Sequence, residues 1–566
     1  MKTELPGIIV QFLLALFLSI PLGKYISQVF RGAPTWPDRL LNPLDRFIYK
    51  WAGIRSHESM NWKQHLVAMI TINGLWIFLC MLVLMLQAFL PLNPDHNPGM
   101  SADLAFNTAI SFVVNCDLQH YSGESGLSYL SQLFLLFLQF VSAATGIAAA
   151  AVLFEALKER TSTALGNFWY YFVRSVTRLL LPLSIVVAVL LMTQGVPMTF
   201  SGKAEQLSLQ GDTMQISRGP VAAFVAIKHL GTNGGGFFGA NSAHPLENPT
   251  YLSNIIEMVA QLLIPMALVF ALGYYLNRKK LAFMLFGIMT VGFLMLVIPA
   301  VVAEMQGNPA IQEMGISRAG GAMEGKEVRF GAAASGFWSI ATTVISTGSV
   351  NAMHDSGMPV SGMSQLLAMF VNAFYGGCGV GLLNMFIYVL LAVFISGLMV
   401  GRTPEFLGKK VEAREIKIAM IIALLHPLLI LSGTAVSCYL FMHNQAGSAA
   451  WLNNPGYHGF SEMLYEFTSA AANNGSGFEG LGDNNPWWNI STGMVLLLGR
   501  FLPIIGPLAI AGLLAGKKYI PEGAGTLKTD SVTFGIMVFA VLFIITALSF
   551  FPALALGPIA EHAALH

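Results

Sequence analysis

The sequence predicts an all-α polytopic membrane protein, with ten transmembrane helices and four parallel repeats around a central pore. Three observations favour this fold class. Only 10% of the 566 residues are charged and the mean hydropathy is +0.64, whereas soluble domains carry about 25% charged residues. Apolar stretches long enough to cross a bilayer recur along the whole chain. Between them lie four shorter apolar stretches, each of which ends in a polar or glycine-rich turn.

The long apolar stretches predict ten spans, of which the seventh is expected to be broken. They cover approximately residues 5–23, 66–91, 128–154, 172–194, 252–276, 280–303, 364–400, 417–442, 489–515 and 532–556. The first is interpreted as a retained helix because no small-residue cleavage site follows it. The four shorter stretches rise about 1.5 Å per residue and reach only about halfway across a membrane. They are therefore predicted to be re-entrant helices at 102–114, 219–231, 332–346 and 459–471.

The order of these elements predicts a unit of span, re-entrant helix, turn and span that occurs four times. Two spans per unit return the chain to the same side, so the repeats are parallel and their turns meet on an axis along the membrane normal. The turns are aligned on Cys116, Gly234, Gly348 and Gly475, which are 118, 114 and 127 residues apart. The predicted divisions are an extra span and inner loop at 1–63, repeats at 64–160, 161–279, 280–416 and 417–530, and an extra span at 531–566.

The distribution of charge predicts the orientation. With both termini and all four re-entrant helices outside, 22 of the 30 lysines and arginines fall in inner loops, including Arg160 and Arg402. This bias is typical of cytoplasmic loops. The outer face then carries a net charge of −11, which raises the local cation concentration. Alternatively, the outer face is acidic only because the lysines and arginines are confined to the inner loops.

The turns have the properties of a cation filter. Non-helical backbone at membrane depth must be enclosed by protein or line a polar path. Each re-entrant helix points its partly negative C-terminal end at the membrane centre, and glycine lets successive carbonyl groups point inward. Asn115, Asn233, Thr347 and Asn474 precede the aligned positions and are predicted to brace the carbonyl groups. Few carboxylates lie in the turns, which favours a monovalent cation over Ca²⁺.

Two further features lie inside predicted spans. Arg500 lies midway along the ninth span, where an arginine costs about 2.5–3.5 kcal/mol on insertion scales. It is predicted to face the pore beneath the turns and to limit straight passage, unless it pairs with Glu257 or with free carbonyl groups. In the seventh span, clustered glycines predict an unwound section that acts as a gate or side opening, or else close helix packing. They are Gly376, Gly377, Gly379 and Gly381.

Several functions are not supported by the sequence. It contains no GxxxxGK[ST] phosphate loop and no Asp-Lys-Thr-Gly segment, so no ATP site is predicted in this chain and ATP can drive it only through a partner. A net charge of +1 gives no indication of a nucleic-acid partner. The four cysteines lack disulfide or zinc spacing. His120, His244 and His354 follow three of the turns and are expected to hydrogen-bond the outer loops rather than bind a metal.

Nine segments of this sequence carry a family resemblance. One reads GTNGGGFF at 231–238 and is followed by HPLENP at 244–249. On these segments the chain resembles the potassium-binding A subunits of bacterial Kdp potassium-transporting ATPases, in the superfamily of potassium transporters. The others are 105–109, 121–124, 350–356, 401–405, 407–410, 472–476 and 498–501.

The resemblance implies a filter for K⁺ as the transported ligand, with Gln119 beside it and Arg500 below it. It implies that the chain takes K⁺ from outside, across the bacterial cytoplasmic membrane, and passes it through an intramembrane tunnel to a B subunit. That subunit is a P-type ATPase carrying the phosphorylated aspartate, and small single-span C and F subunits complete the complex. The implied filter residues are Asn115, Cys116, Thr232, Asn233, Gly234, Gly235, Ser346, Thr347, Gly348, Ser349, Asn473, Asn474, Gly475 and Ser476.

Two alternatives stay open at this point. A stand-alone potassium channel or cation-coupled transporter of the same superfamily, with cytosolic regulatory subunits, would share the filter. Arg500 and the lack of an obvious through-path favour the non-catalytic pump subunit over this alternative. A metal-dependent membrane enzyme is supported only by the scattered histidines.

Overall fold

The protein is described by a computed structural model that covers residues 4–159, 161–401, 403–443, 445–521 and 528–565. Arg160 and Arg402, which were counted among the inner basic residues, lie outside the described residues. The prediction of a predominantly helical membrane protein is confirmed.

Ten helical segments of the described chain are long and apolar enough to cross a membrane, as predicted. The seventh begins much later than expected, because the predicted break separates it from a preceding helix. We call these segments the first to tenth spans: Glu4–Phe30, Trp62–Phe89, Tyr129–Lys158, Phe168–Thr193, Tyr251–Leu276, Lys279–Glu313, Val380–Met399, Ala413–His443, Pro486–Ala515 and Val532–Ala564.

Four short helices lie between pairs of spans in the chain. Most residues in each are buried, including polar ones such as Asn107, Lys228 and Glu466. The division of the chain into the six predicted segments stays a prediction, but the alternation of spans and short helices agrees with it. We call these helices the first to fourth pore helices: Ala102–Val113, Val221–Leu230, Ala332–Val344 and Tyr457–Ala472.

The break before the seventh span has clear local causes. A helix at Pro359–Val371 ends where Asn372 adopts a left-handed backbone with φ of 44°. The chain stays non-helical until Gly379, whose φ of 84° precedes the helix Val380–Val400. The unwound section therefore occupies 372–379, and Gly381, which was predicted to belong to it, lies instead in the first turn of the following helix.

The remaining elements are short, and several of them are irregular turns within or at the ends of the spans. An amphipathic helix at Asp38–Trp51 follows the first span. Two antiparallel hairpins, which the sequence did not predict, pair β1 (Ala204–Leu207) with β2 (Thr213–Ile216) and β3 (Glu405–Phe406) with β4 (Lys409–Lys410). Short α-helices occupy Gly123–Gly126, Pro309–Glu313, Gln445–Ser448 and Ala560–Ala564, 3₁₀ turns occupy Gln87–Phe89 and Asn241–Ala243, and π-helical turns occupy Ser175–Leu180 and Ala555–Ile559.

The third and fifth spans form the centre of the molecule. In their most apolar stretches 78% and 89% of the residues are buried, against 22% in the first and eighth spans, whose exposed apolar faces suit lipid. Small residues let the third span approach its neighbours closely. A methyl group added to Gly146 would lie 2.2 Å from the Cys378 carbonyl oxygen, so this span packs directly against the break.

A buried ion-pair cluster fastens the amphipathic helix to the fourth span. Arg178 is fully buried, and its guanidinium donates to Asp38 at 3.1 Å and to Asn42 at 2.6 Å. It also pairs with Asp45 at 2.8 Å. Removing one partner of such a buried pair leaves the other charges without compensation.

We expect Arg178→Met to lower the free energy of unfolding by about 3–5 kcal/mol, because Asp38 and Asp45 would lose their buried partner. The measurement is unfolding by SDS titration in detergent micelles. Arg55→Met is the control, since Arg55 pairs with Glu58 at 3.1 Å but both side chains are mostly exposed, 79% and 64%. That change is expected to cost about 0–1 kcal/mol. Equal losses in the two variants would contradict this role of Arg178.

Candidate ion-binding site

The four pore helices end in turns of one design. In each turn a backbone N–H donates to the carbonyl group five residues earlier, at 2.9–3.1 Å. The residue before this donor has a left-handed backbone, with φ between 48° and 63°. The donors are Cys116, Asn233, Thr347 and Asn474, and the left-handed residues are Asn115, Thr232, Ser346 and Asn473.

This shared hydrogen bond corrects the sequence alignment of the first turn. A second left-handed residue follows each donor, and it is Gly234, Gly348 or Gly475 in three turns. In the first turn it is Asp117, with φ of 57°. Cys116 therefore corresponds to Asn233 and not to Gly234. The first turn has no glycine to mark its register, and aspartate is one of the few other residues that tolerate this conformation.

The turns pack against one another in a closed ring. A methyl group added to Gly234 would lie 1.9 Å from the carbonyl oxygen of Thr347, in the third turn. A methyl group added to Gly348 would lie 2.2 Å from the Asn474 carbonyl oxygen, in the fourth turn. One added to Gly475 would lie 2.0 Å from the Cys116 carbonyl oxygen, in the first turn. Glycine is thus required at these positions by lack of space as well as by backbone conformation.

Hydrogen bonds close the ring between the first and second turns. Asn115 donates from Nδ2 to the Thr232 carbonyl oxygen at 2.6 Å. Gln119, predicted to flank the filter, exchanges two hydrogen bonds with the backbone of Gly236, at 3.0 and 2.8 Å. It therefore lies beside the outer end of the second turn.

Several polar side chains of the turns are engaged with the surrounding protein. Asn233 accepts at Oδ1 from the Ser142 hydroxyl at 2.8 Å, and Asn474 donates to the Thr342 carbonyl group at 2.8 Å. Ser346 donates to Asn372 Oδ1, in the break, at 3.0 Å. These contacts attach the turns to the third span, the third pore helix and the break before the seventh span. Such bracing suits the predicted filter, in which backbone carbonyl oxygens would bind a bare cation, and that filter stays a prediction.

Sequence reasoning missed the bracing residue Asn241. Its Nδ2 donates to the Gly234 carbonyl oxygen at 2.6 Å, and its Oδ1 accepts from the buried Lys228 ammonium at 2.6 Å. Asn241 lies seven residues beyond the turn and corresponds to no repeating position, so only the folded loop identifies it.

Arg500 is buried beside the third span, next to the end of the fourth pore helix. Its Nη2 donates to the Ser142 carbonyl oxygen at 3.0 Å. A methyl group added to the preceding residue, Gly499, would lie 2.5 Å from the Ala471 carbonyl oxygen. Glu257 instead contacts His229 at 2.9 Å and does not pair with the arginine. A barrier role for Arg500 stays a prediction.

The glycines of the break lie next to the second turn. The backbone N–H of Cys378 donates to the Thr232 hydroxyl at 2.9 Å. A methyl group on Gly379 would lie 2.1 Å from the Gly146 carbonyl oxygen, and Gly376 and Gly381 abut each other in the same way. Gly377 has more room, with its nearest contacts at 3.7 Å. Close packing thus accounts for three of these glycines, while their predicted part in a gate stays untested.

The three outer histidines make hydrogen bonds in the outer loops. His120 contacts Asn489 at 2.7 Å and Glu466 at 3.1 Å. His354 contacts the Tyr465 hydroxyl at 3.0 Å, and His244 accepts from a backbone N–H at 3.1 Å. The three side chains thus brace the outer segments around the turns.

Comparisons with known proteins show which family the chain is similar to. The family model for "Potassium-transporting ATPase A subunit" matches residues 9–563. Proteins named "Potassium-transporting ATPase potassium-binding subunit" are similar along nearly their whole length. That of Flavobacterium johnsoniae is 69% identical, with 99% of each chain covered. Those of Bacteroides thetaiotaomicron and Geobacillus kaustophilus are 58% and 48% identical, with 100% and 97% of each chain covered.

A solved structure with the same fold is the potassium transporter TrkH from Vibrio parahaemolyticus. It matches with a TM-score of 0.50 at 15% identity, covering 89% of this chain and 98% of that one. At this identity the likeness supports the fold alone.

We expect Gly234→Ala to weaken monovalent cation binding at least about tenfold, equivalent to about 1.4 kcal/mol, because the added methyl group must displace the third turn. The measurement is Rb⁺ binding to the purified chain by calorimetry. Gly195→Ala is the matched control, since Gly195 has a similar φ of 98° but no atom within 4 Å of the added methyl group. Equal weakening by both changes would show that backbone strain, and not the ring contact, causes the loss.

Proposed function

The chain belongs to the family of potassium-transporting ATPase A subunits, and we propose that it selects K⁺ in the ring of four turns and passes it to a P-type ATPase partner. It binds and transports K⁺ as the potassium-binding subunit of that ATPase. The observation that carries the proposal is the closed ring, in which Gly234, Gly348 and Gly475 each abut the next turn.

The ring is suited to K⁺ for electrostatic reasons. Carbonyl oxygens replace the hydration shell of the ion, and the C-terminal ends of four pore helices add negative potential at the same point. The abutting glycines fix the spacing between neighbouring turns, so the oxygens need little reorganisation when an ion enters. The filter consists of the residues predicted from the sequence, with Asp117 in the position that glycine holds in the other three turns.

The path beyond the ring leads sideways. The buried guanidinium of Arg500 repels a cation that would continue straight down the axis. The break at 372–379 adjoins the second turn, and a small cavity beside Asn372 is lined by Asn384, His426 and mainly apolar side chains. We assign the side exit toward the partner to this region.

The remaining parts of the proposal concern the assembly. The sequence lacks both a phosphate loop and an Asp-Lys-Thr-Gly segment, which supports ATP hydrolysis in the partner chain. Small single-span C and F subunits complete the complex. The chain lies in the bacterial cytoplasmic membrane with both termini outside, which is supported by the 22 basic residues of the inner loops.

Uptake of Rb⁺ into liposomes tests the proposal. We expect the purified chain alone to give no flux, and uptake to appear when the partner subunits and ATP are added. Arg500→Gln is expected to raise passive leak through the chain alone, because the repelling charge is lost. Arg55→Gln, a change of an exposed arginine, is the control and is expected to leave the chain closed.

Fast passive flux through the unmodified chain, blocked by Gly234→Ala, would identify a stand-alone channel and refute the pump-subunit proposal. An Arg500→Gln variant that shows no increase in passive leak would refute only the barrier role of Arg500.

A further inference from the structure

The peptide group between Gly234 and Gly235 is held at both ends. Its carbonyl oxygen accepts from Asn241 Nδ2 at 2.6 Å, and its N–H donates to Asp117 Oδ2 at 3.3 Å. We propose that Asp117 and the Lys228–Asn241 pair clamp this peptide and thereby set the preference of the ring for K⁺ over other monovalent cations. This inference rests on the proposed function, and it assigns positioning roles to three residues outside the predicted filter.

Lys228 determines which end of the Asn241 amide faces the turn. The ammonium is fully buried and has three acceptors: Asn241 Oδ1 at 2.6 Å, the Ser242 hydroxyl at 2.9 Å and Glu247 Oε2 at 2.7 Å. Since an ammonium only donates, it requires the oxygen of Asn241. The amide nitrogen is then directed to Gly234. The charge of Lys228 makes its hydrogen bond to Asn241 Oδ1 stronger than a bond between neutral groups.

Asn241 also connects the second turn to the third. Its Oδ1 accepts from the backbone N–H of Val350 and from the Ser349 hydroxyl, both at 3.2 Å. The residue has a left-handed backbone with φ of 56°, and the Ser242 N–H donates to its Oδ1 at 2.8 Å. The amide is therefore fixed from several sides, and a change at Lys228 reaches two of the four turns.

Asp117 holds the other end of the same peptide. Its carboxylate is buried, and Oδ2 also accepts from Gln139 Nε2 at 2.7 Å. A methyl group on Gly235 would lie 2.6 Å from its Cβ, so the aspartate packs directly against the second turn. The peptide cannot rotate without breaking a hydrogen bond at each end.

The clamp is confined to one junction of the ring. The carbonyl of Lys228 accepts the hydrogen bond that closes the second turn, and Ser111, Thr342 and Ser469 hold this position in the other repeats. Similarly, Asp117 holds the position of Gly234, Gly348 and Gly475. The two ionisable residues are thus departures from the repeat that meet at one peptide. Discrimination between cations depends on the number and orientation of the carbonyl dipoles, which a fixed peptide controls.

The test is calorimetric binding of K⁺, Rb⁺ and Na⁺ to the purified full chain. Lys228→Met keeps the length of the side chain and removes the ammonium. We expect it to weaken K⁺ binding about tenfold and to reduce the ratio of K⁺ to Na⁺ affinity. The control is Lys326→Met, because Lys326 is also buried and paired, with Glu304 at 3.0 Å, and is expected to leave both quantities unchanged.

Two further variants separate positioning from folding. Asn241→Asp keeps the shape and the contact with Lys228 but cannot donate to Gly234, so it should reproduce the loss of selectivity. Asp117→Asn keeps an acceptor for the Gly235 N–H and should retain K⁺ preference, whereas Asp117→Ala should lose it.

Unchanged K⁺ affinity and selectivity in Asn241→Asp or in folded Lys228→Met would overturn the clamp, as would an equal effect of Lys326→Met. An unmodified chain that does not prefer K⁺ to Na⁺ would overturn the proposed function, and the clamp with it.

Discussion

The structure depends on one constraint, which is that four non-helical turns lie at membrane depth and each must be enclosed by protein. The chain meets this constraint by packing the turns against one another. Each of Gly234, Gly348 and Gly475 lies too close to the next turn to carry a side chain. The same constraint explains why the third and fifth spans are buried while the first and eighth face outward. It also explains the close approach of Gly146 to the break before the seventh span.

Much of this architecture was predictable because hydrophobicity and length determine it. Ten spans, four pore helices and the break near Gly376 follow from apolar stretches, their lengths and clustered glycines. The first turn was aligned one residue early because Asp117 replaces the glycine of the other turns. Without that glycine, the sequence does not indicate which residue has the left-handed backbone. Asn241 and its contact with Lys228 were missed because a loop brings them together, and no periodicity predicts such contacts. The same is true of the β1–β2 hairpin, which lies outside the helical repeat.

The ring is fourfold in its backbone and unequal in its side chains. The four turns share a hydrogen bond and two left-handed residues. Asp117, Lys228 and Arg500 each occur in one repeat only, and each lies near a turn or beneath it. In the proposed account the shared backbone binds the ion, and the unique side chains give the site its selectivity and direction. A pump subunit needs both, since it must bind K⁺ from outside without becoming an open channel.

The most direct test of this account is to locate the ion. Anomalous diffraction from crystals of the full chain grown with Rb⁺ or Tl⁺ would show where a monovalent cation binds. The account predicts a peak inside the ring, coordinated by backbone carbonyl oxygens of all four turns. A peak only among the outer carboxylates and histidines, with none between the turns, would contradict it.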